Sequence, residues 1–159
     1  MNIKMLVMDV DGTLTDGHIY ISADGEIMKA FHVQDGYAIV HILPELGITP
    51  VIITGRSSEI VKRRAAELKI HHLHQGISDK LCKLKEVAEE LGVSAEQIAY
   101  IGDDLNDLEC IRYCGYTGGP ADAVPEVLKT VDYVCTRNGG CGAVREFVDS
   151  LPWEQETQP

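Results

Sequence analysis

The chain has no apolar run near the roughly 20 residues that cross a bilayer, and no basic-then-apolar leader at its start. Neither a membrane span nor export is therefore expected. It also lacks any Cys-x-x-Cys pair, and its five cysteines (Cys82, Cys110, Cys114, Cys135 and Cys141) are odd in number. That usage fits reduced thiols in a cytoplasmic protein. Positive charge is scarce, with 14 Lys and Arg against 25 Asp and Glu and a formal net charge of -11. Such a surface repels nucleic acid and anionic membrane, so neither is an expected partner. An anionic substrate would need a metal or a few cations gathered locally. Internal repeats, low-complexity stretches and linkers are absent as well.

What remains is ordinary for a globular protein: 159 residues, 45% apolar and 25% charged. A chain of this size buries roughly two-thirds of its unfolded surface. One domain over 1–151 is expected, followed by a polar tail over 152–159. The rhythm is strand, turn, helix. Met5-Leu6-Val7-Met8 ends at Asp9, Val51-Ile52-Ile53 ends at Thr54, and Ile98-Ala99-Tyr100-Ile101 ends at Gly102-Asp103. Such short apolar runs suit buried parallel strands, and Tyr133-Val134-Cys135 reads as a last short one. Helices are expected over Asp35 to Leu46, Ser58 to Leu68, Lys80 to Leu91 and Leu105 to Tyr113. Gly47 and Gly92 stand where a left-handed C-cap is wanted. The alternation predicts an α/β, three-layer, Rossmann-like fold with a mostly parallel sheet. One segment departs from it. Residues 18–21 and 26–31 flank Ala23-Asp24-Gly25 and read as a β-hairpin after the first strand. The remaining length leaves no room for an inserted cap domain.

Ligands bind outside the carboxyl ends of parallel strands, a rule that gathers Asp9, Thr54 and Asp103 on one rim. Asp9-Val10-Asp11-Gly12-Thr13 places two carboxylates two residues apart before a glycine, where backbone N–H groups can approach an anion. Gly102-Asp103-Asp104-Leu105-Asn106-Asp107 adds three more carboxylates. Five in one small volume require protons or a cation, and an all-oxygen set selects a hard ion such as Mg²⁺. Taken alone, either Asp cluster is a turn or a helix cap. Their ordered conjunction with Thr54-Gly55-Arg56 and the downstream Lys80 points to catalysis.

In order and spacing these segments resemble the four motifs of the haloacid dehalogenase superfamily of phosphohydrolases. Phe31-His32-Val33-Gln34-Asp35-Gly36-Tyr37, His74-Gln75-Gly76 and Gly139 to Glu146 extend the likeness over nearly the whole chain. They resemble the capless branch that acts on 8- and 9-phosphates of long sugar acids. The resemblance implies a phosphatase for 3-deoxy-D-manno-octulosonate 8-phosphate (KDO 8-phosphate), or for the 9-phosphate of a neuraminate-type nonulosonate. It also implies the roles. Asp9 is the nucleophile that becomes an aspartyl phosphate, and Asp11 is the acid and then the base. Asp9, the backbone carbonyl of Asp11 and Asp103 hold Mg²⁺, supported by Asp104 and Asp107. Thr54, Gly55 and Lys80 grip the phosphoryl group, while Arg56, Arg64, His74 and Arg137 contact the sugar acid. A homotetramer is implied too, in which a neighbouring subunit completes the open site.

Two positions depart from that branch. Gln34 stands where Arg is expected, and Cys141 where a basic residue is. His71, His72 and His74 invite a zinc site, but alternation along a short strand splits them between two faces. Cys110 and Cys114 suit core packing, and Lys62-Arg63-Arg64 suits a solvated helix face. Other readings are a non-catalytic assembly module, a phospho-acceptor receiver domain and a phosphomutase. The first would not need the retained acidic, Thr and Lys set. The second would place its acceptor after a middle strand, and the third ordinarily needs a cap.

Overall fold

The computed structural model describes residues 2–152. All of the expected polar tail except the half-buried Pro152 lies outside them.

Six strands form one parallel sheet in the order β5-β4-β1-β6-β7-β8: β1 is Met5–Met8, β4 Thr49–Ile53, β5 His72–His74, β6 Ile98–Ile101, β7 Tyr116–Gly119 and β8 Tyr133–Val134. From central β1 the chain builds outward to β5, then returns to the other side of β1 with β6. This reversal makes a topological switch point above the carboxyl ends of β1 and β6, where crevices form.

Every residue of β1 and β6 is buried, and period-2 alternation divides them between two cores. Leu6, Met8, Ala99 and Ile101 face one core with Ala38, Leu43, Val61, Ala65, Val144 and Phe147. Met5, Val7, Ile98 and Tyr100 face the other with Leu84, Val87, Cys110 and Val127. The first layer of helices is α1 Val33–Tyr37, α2 Leu43–Glu45, α3 Glu59–Glu67 and α7 Ala143–Ser150. The second is α4 Lys80–Leu91, α5 Leu108–Tyr113 and α6 Pro125–Leu128. The expected three-layer α/β fold is therefore observed. Among the described residues, no helix is long and apolar enough to cross a membrane, and all five cysteines are free.

Several boundaries differ from expectation for local reasons. The helix expected from Asp35 starts at Val33, because the His32 Nδ1 caps it by accepting the Gln34 N–H at 3.2 Å. It then widens into a π-helical segment, Ala38–Ile42, closed by Leu43 N–H on the Ala38 carbonyl. The widening lies just ahead of Pro44, which has no N–H to give and whose ring would crowd the carbonyl four residues back. The hairpin is shorter than predicted, with β2 Tyr20–Ser22 pairing β3 Gly25–Met28. Strand β7 escapes a search for apolar runs because it reads Tyr-Thr-Gly-Gly. Its glycines make room instead: a Cβ on Gly118 would lie 2.4 Å from the Phe147 ring. Helix α7 was not assigned from sequence either, although Val144, Phe147 and Val148 have helical spacing and are buried.

Candidate active site

Asp9 leaves β1 with its N–H on the Ile101 carbonyl at 3.1 Å, the last bond of the β1–β6 ladder. The chain then turns tightly. Thr13, Leu14 and Thr15 all direct their N–H groups at the Val10 carbonyl, and Thr15 Oγ1 accepts from Gly12 and Gly17 at 3.2 Å each. Gly12 has φ +87°, and a Cβ there would sit 2.0 Å from Asp103 Oδ2. Glycine is thus required twice, by backbone conformation and by the carboxylate against it. Thr13 Oγ1 donates to Asp103 Oδ1 at 2.9 Å and ties the loop after β1 to the loop after β6.

The Gly139–Gly142 turn packs against the loop after β1. A Cβ on Gly139 would fall 1.9 Å from the Gly12 carbonyl oxygen, and one on Gly140 would fall 2.4 Å from the Asp16 nitrogen. Backbone packs directly on backbone here, and Gly140 N–H reaches the Thr13 carbonyl at 3.2 Å.

Lys80 is the first residue of α4, whose N-cap Asp79 accepts the Cys82 N–H at 2.9 Å. Its Nζ stands 3.1 Å from Asp9 Oδ1 and 2.8 Å from Asp107 Oδ1. Asp107 is wholly buried and fully used. Oδ1 also accepts from Tyr100 OH at 2.6 Å, and Oδ2 takes the N–H groups of Asp103 and Asp104 at 3.0 and 3.2 Å. Such saturation makes Asp107 the anchor of Lys80 and of the loop after β6.

Electrostatics follow from the crowding. Burial, then the charge of Asp107, raises Asp9 to about 6 despite Lys80. Burial, then Asp9, raises Asp103 to about 8. Burial opposes the Lys80 charge, yet Asp9 and Asp107 outweigh it and hold Lys80 above its ordinary range. The single Lys80 charge does not offset carboxyls crowded this closely. Oxygens of Asp9, Asp103 and Asp107 lie within 4.8 Å of one another, and a hard divalent cation fits that all-oxygen set.

Asp9, Asp11, Thr54, Gly55, Arg56, Asp104 and Asn106 line a cleft of about 150 Å³. Thr54 is held by its N–H on the His74 carbonyl at 3.0 Å. Thr54 and Arg56 thus share the cleft with Asp9, against which Lys80 and Asp103 are placed. Arg64, His74 and Arg137 do not line this cleft. Arg64 pairs with Glu67 at 2.8 Å and lies over the Phe31 ring. His74 is pushed below its usual range by burial and then by Lys83 on α4. Arg137 donates to Gln34 Oε1 at 2.5 Å and borders a separate cavity with Tyr133 and Arg145.

Sequence reasoning missed Lys29, Tyr100 and Asn106. Lys29 Nζ lies 2.5 Å from Asp11 Oδ1, but it follows a strand noted for its apolar residues. Tyr100 lies within an apolar run that gives its hydroxyl no signal. Asn106 was visible within the second acidic motif, without a role.

Residues 72–148 match the model of the haloacid dehalogenase-like hydrolases. The 3-deoxy-D-manno-octulosonate 8-phosphate phosphatase KdsC of Escherichia coli K12 is 45% identical over 150 residues, covering 94% of this chain and 79% of that protein. The crystal structure of 3-deoxy-D-manno-octulosonate 8-phosphate phosphatase from Yersinia pestis superposes with a TM-score of 0.90 at 46% identity, covering 93% of this chain and 80% of that one. The Moraxella catarrhalis phosphatase of the same name, solved with magnesium, phosphate and KDO, gives a TM-score of 0.89 at 44% identity, covering 93% and 84%.

Proposed function

Because the chain belongs to the haloacid dehalogenase-like hydrolases, we propose that it is a magnesium-dependent phosphatase acting on KDO 8-phosphate. The observation that carries this reading is Asp9 at the carboxyl end of β1, buried, lining the cleft and 3.1 Å from the Lys80 ammonium. The relatives' substrate favours the octulosonate over a nonulosonate 9-phosphate.

Asp9 attacks phosphorus, and the bond to the sugar oxygen breaks. Asp11 delivers a proton to that leaving oxygen, then removes one from the water that opens the aspartyl phosphate. Lys80 and the Thr54–Gly55 turn offset the charge on the transferring group. Asp9, the Asp11 carbonyl and Asp103 are the residues to hold Mg²⁺, with Asp104 and Asp107 behind them. When bound, Mg²⁺ supplies positive charge for the phosphoryl oxygens and the crowded carboxylates.

The assembly is a homotetramer in the cytoplasm, with no nucleic acid or membrane partner. Exposed Ile21, Ile27 and Met28 on the hairpin support burial against another subunit. So does the groove of about 720 Å³ between the hairpin and α3. A neighbour covering the open site also supplies the wall that a cap would otherwise form.

Phosphate release with Mg²⁺ from KDO 8-phosphate, neuraminate-type 9-phosphates and hexose phosphates tests the reading. Preference for KDO 8-phosphate, lost in Asp9→Asn and with EDTA, is the expected result. No release by folded, metal-loaded protein from any of them would sink it.

A further inference from the structure

Lys29 enters none of the steps above, yet it is placed as firmly as any residue of the site. Its side chain is 1% exposed, with Nζ 2.5 Å from Asp11 Oδ1 and 3.1 Å from Glu26 Oε2. A buried ammonium is costly unless paired, and here two carboxylates from different segments hold it. Glu26 accepts in turn from the Ser58 hydroxyl, and Ser58 caps α3, four residues past Thr54. One polar chain thus runs from the start of α3, through the hairpin, to Asp11. The other Asp11 oxygen, Oδ2, is 4.0 Å from Arg56 Nε, a residue of the cleft lining.

Building on the assignment of Asp11 as acid and base, we propose that Lys29 is the residue that positions Asp11 for proton transfer. By occupying Oδ1 it fixes the plane of the carboxyl group and leaves Oδ2 facing the reacting atoms. A proton is disfavoured on the oxygen that faces an ammonium at 2.5 Å, so the transferable proton resides on Oδ2. As the bond from phosphorus to the leaving oxygen breaks, its electron pair goes to that oxygen, which takes the Oδ2 proton. When water then bonds to phosphorus and the Asp9 oxygen departs, Oδ2 accepts the proton the water loses.

A lysine that merely tethered the hairpin would affect all substrates alike. A lysine that orients the acid matters most where the leaving oxygen needs a proton. The test compares kcat/KM for KDO 8-phosphate, an alkyl ester, with that for p-nitrophenyl phosphate, whose leaving group departs readily without one. It uses the Mg²⁺-loaded full chain of the parent, Lys29→Met, Lys29→Arg and Asp11→Asn. Proton transfer by a positioned group contributes roughly 10²–10⁴-fold, so Lys29→Met should lose on the order of 10²-fold on the alkyl ester. Its loss on the aryl ester should stay below about fivefold, and Lys29→Arg should recover about tenfold of the alkyl loss. Equal losses on both esters, or none, overturn the inference. Asp11→Asn separates the levels. If its loss is selective while that of Lys29→Met is not, only the role of Lys29 falls; if its own loss is not selective, the assignment of Asp11 falls too. Should Lys29→Met fail to fold, Glu26→Gln removes half of the lysine's anchorage. It should then show the same selectivity at smaller size, and uniform loss there overturns the inference equally.

Discussion

Lys80 and Asp107 form an ion pair of 2.8 Å with both side chains at most 2% exposed, and the same ammonium reaches Asp9 at 3.1 Å. Asp9 and Asp107, the anchor of the loop after β6, therefore share one buried cation. Breaking a buried pair by removing one partner typically costs about 3–5 kcal/mol, because the other charge is stranded. Lys80→Met, which strands two carboxylates, should lose about that much in urea denaturation without metal. Tyr100→Phe removes a single donor to Asp107 and should cost only about 1 kcal/mol. Similar losses in both variants would mean that the ammonium is not what holds these carboxylates.

Metal removal should make stability depend on pH with a definite sign. In the metal-free fold Asp9 is raised to about 6 and Asp103 to about 8, against 3.8 when unperturbed. Between 3.8 and about 8 this pair of carboxyls therefore binds more protons in the folded chain than in the unfolded one, against the smaller opposite effect of the lowered His74. Stability is then greatest below that window and falls as pH rises through it. Thermal melts of EDTA-treated protein should show Tm declining across this range, and adding Mg²⁺ at its upper end should raise Tm. A flat or rising profile in EDTA contradicts the burial-driven shifts.

Asp9→Asn separates chemistry from stability. The amide removes the proposed nucleophile, so kcat should fall by at least roughly 10³-fold. It also removes a buried carboxylate that burial and Asp107 push toward neutrality. Melts in EDTA at the upper end of the window should show the variant no less stable than the parent. A marked drop in Tm would make Asp9 a structural partner of Lys80 first and a nucleophile second.

Gly139→Ala probes the packing of one loop on another. The added methyl meets the Gly12 carbonyl at 1.9 Å, which is backbone and cannot swing aside. Overpacking of this kind typically costs about 1–3 kcal/mol. The displaced loop carries Gly12 against Asp103, so activity should fall with stability. Full activity with unchanged urea denaturation would show that the two loops yield independently.

Much of the fold was legible because its signals are local. Apolar runs ending at Asp9, Thr54 and Asp103 marked three buried strands, and α4 occupies Lys80–Leu91 as its pattern indicated. Gly47 and Gly92 adopt φ +66° and +65° at the ends of helical segments, as their positions implied. Strand β7 was hidden because its glycine Gly118 answers to Phe147, a residue far along the chain. The extent of the hairpin was misjudged because apolar composition continues to Phe31, which bridges to Thr15 rather than extending the pairing with β2.

The sequence by itself determined which side chains leave the strand ends, since a short apolar run followed by carboxylates sets both the strand and the residue that leaves it. Tertiary structure decided which charges meet. Lys29 reaches Asp11 across 18 positions, and Lys80 reaches Asp107 across 27. Periodicity carries no record of such pairings. They arise only once the sheet order brings loops from separate strands to a common rim, where burial obliges each charge to find a partner.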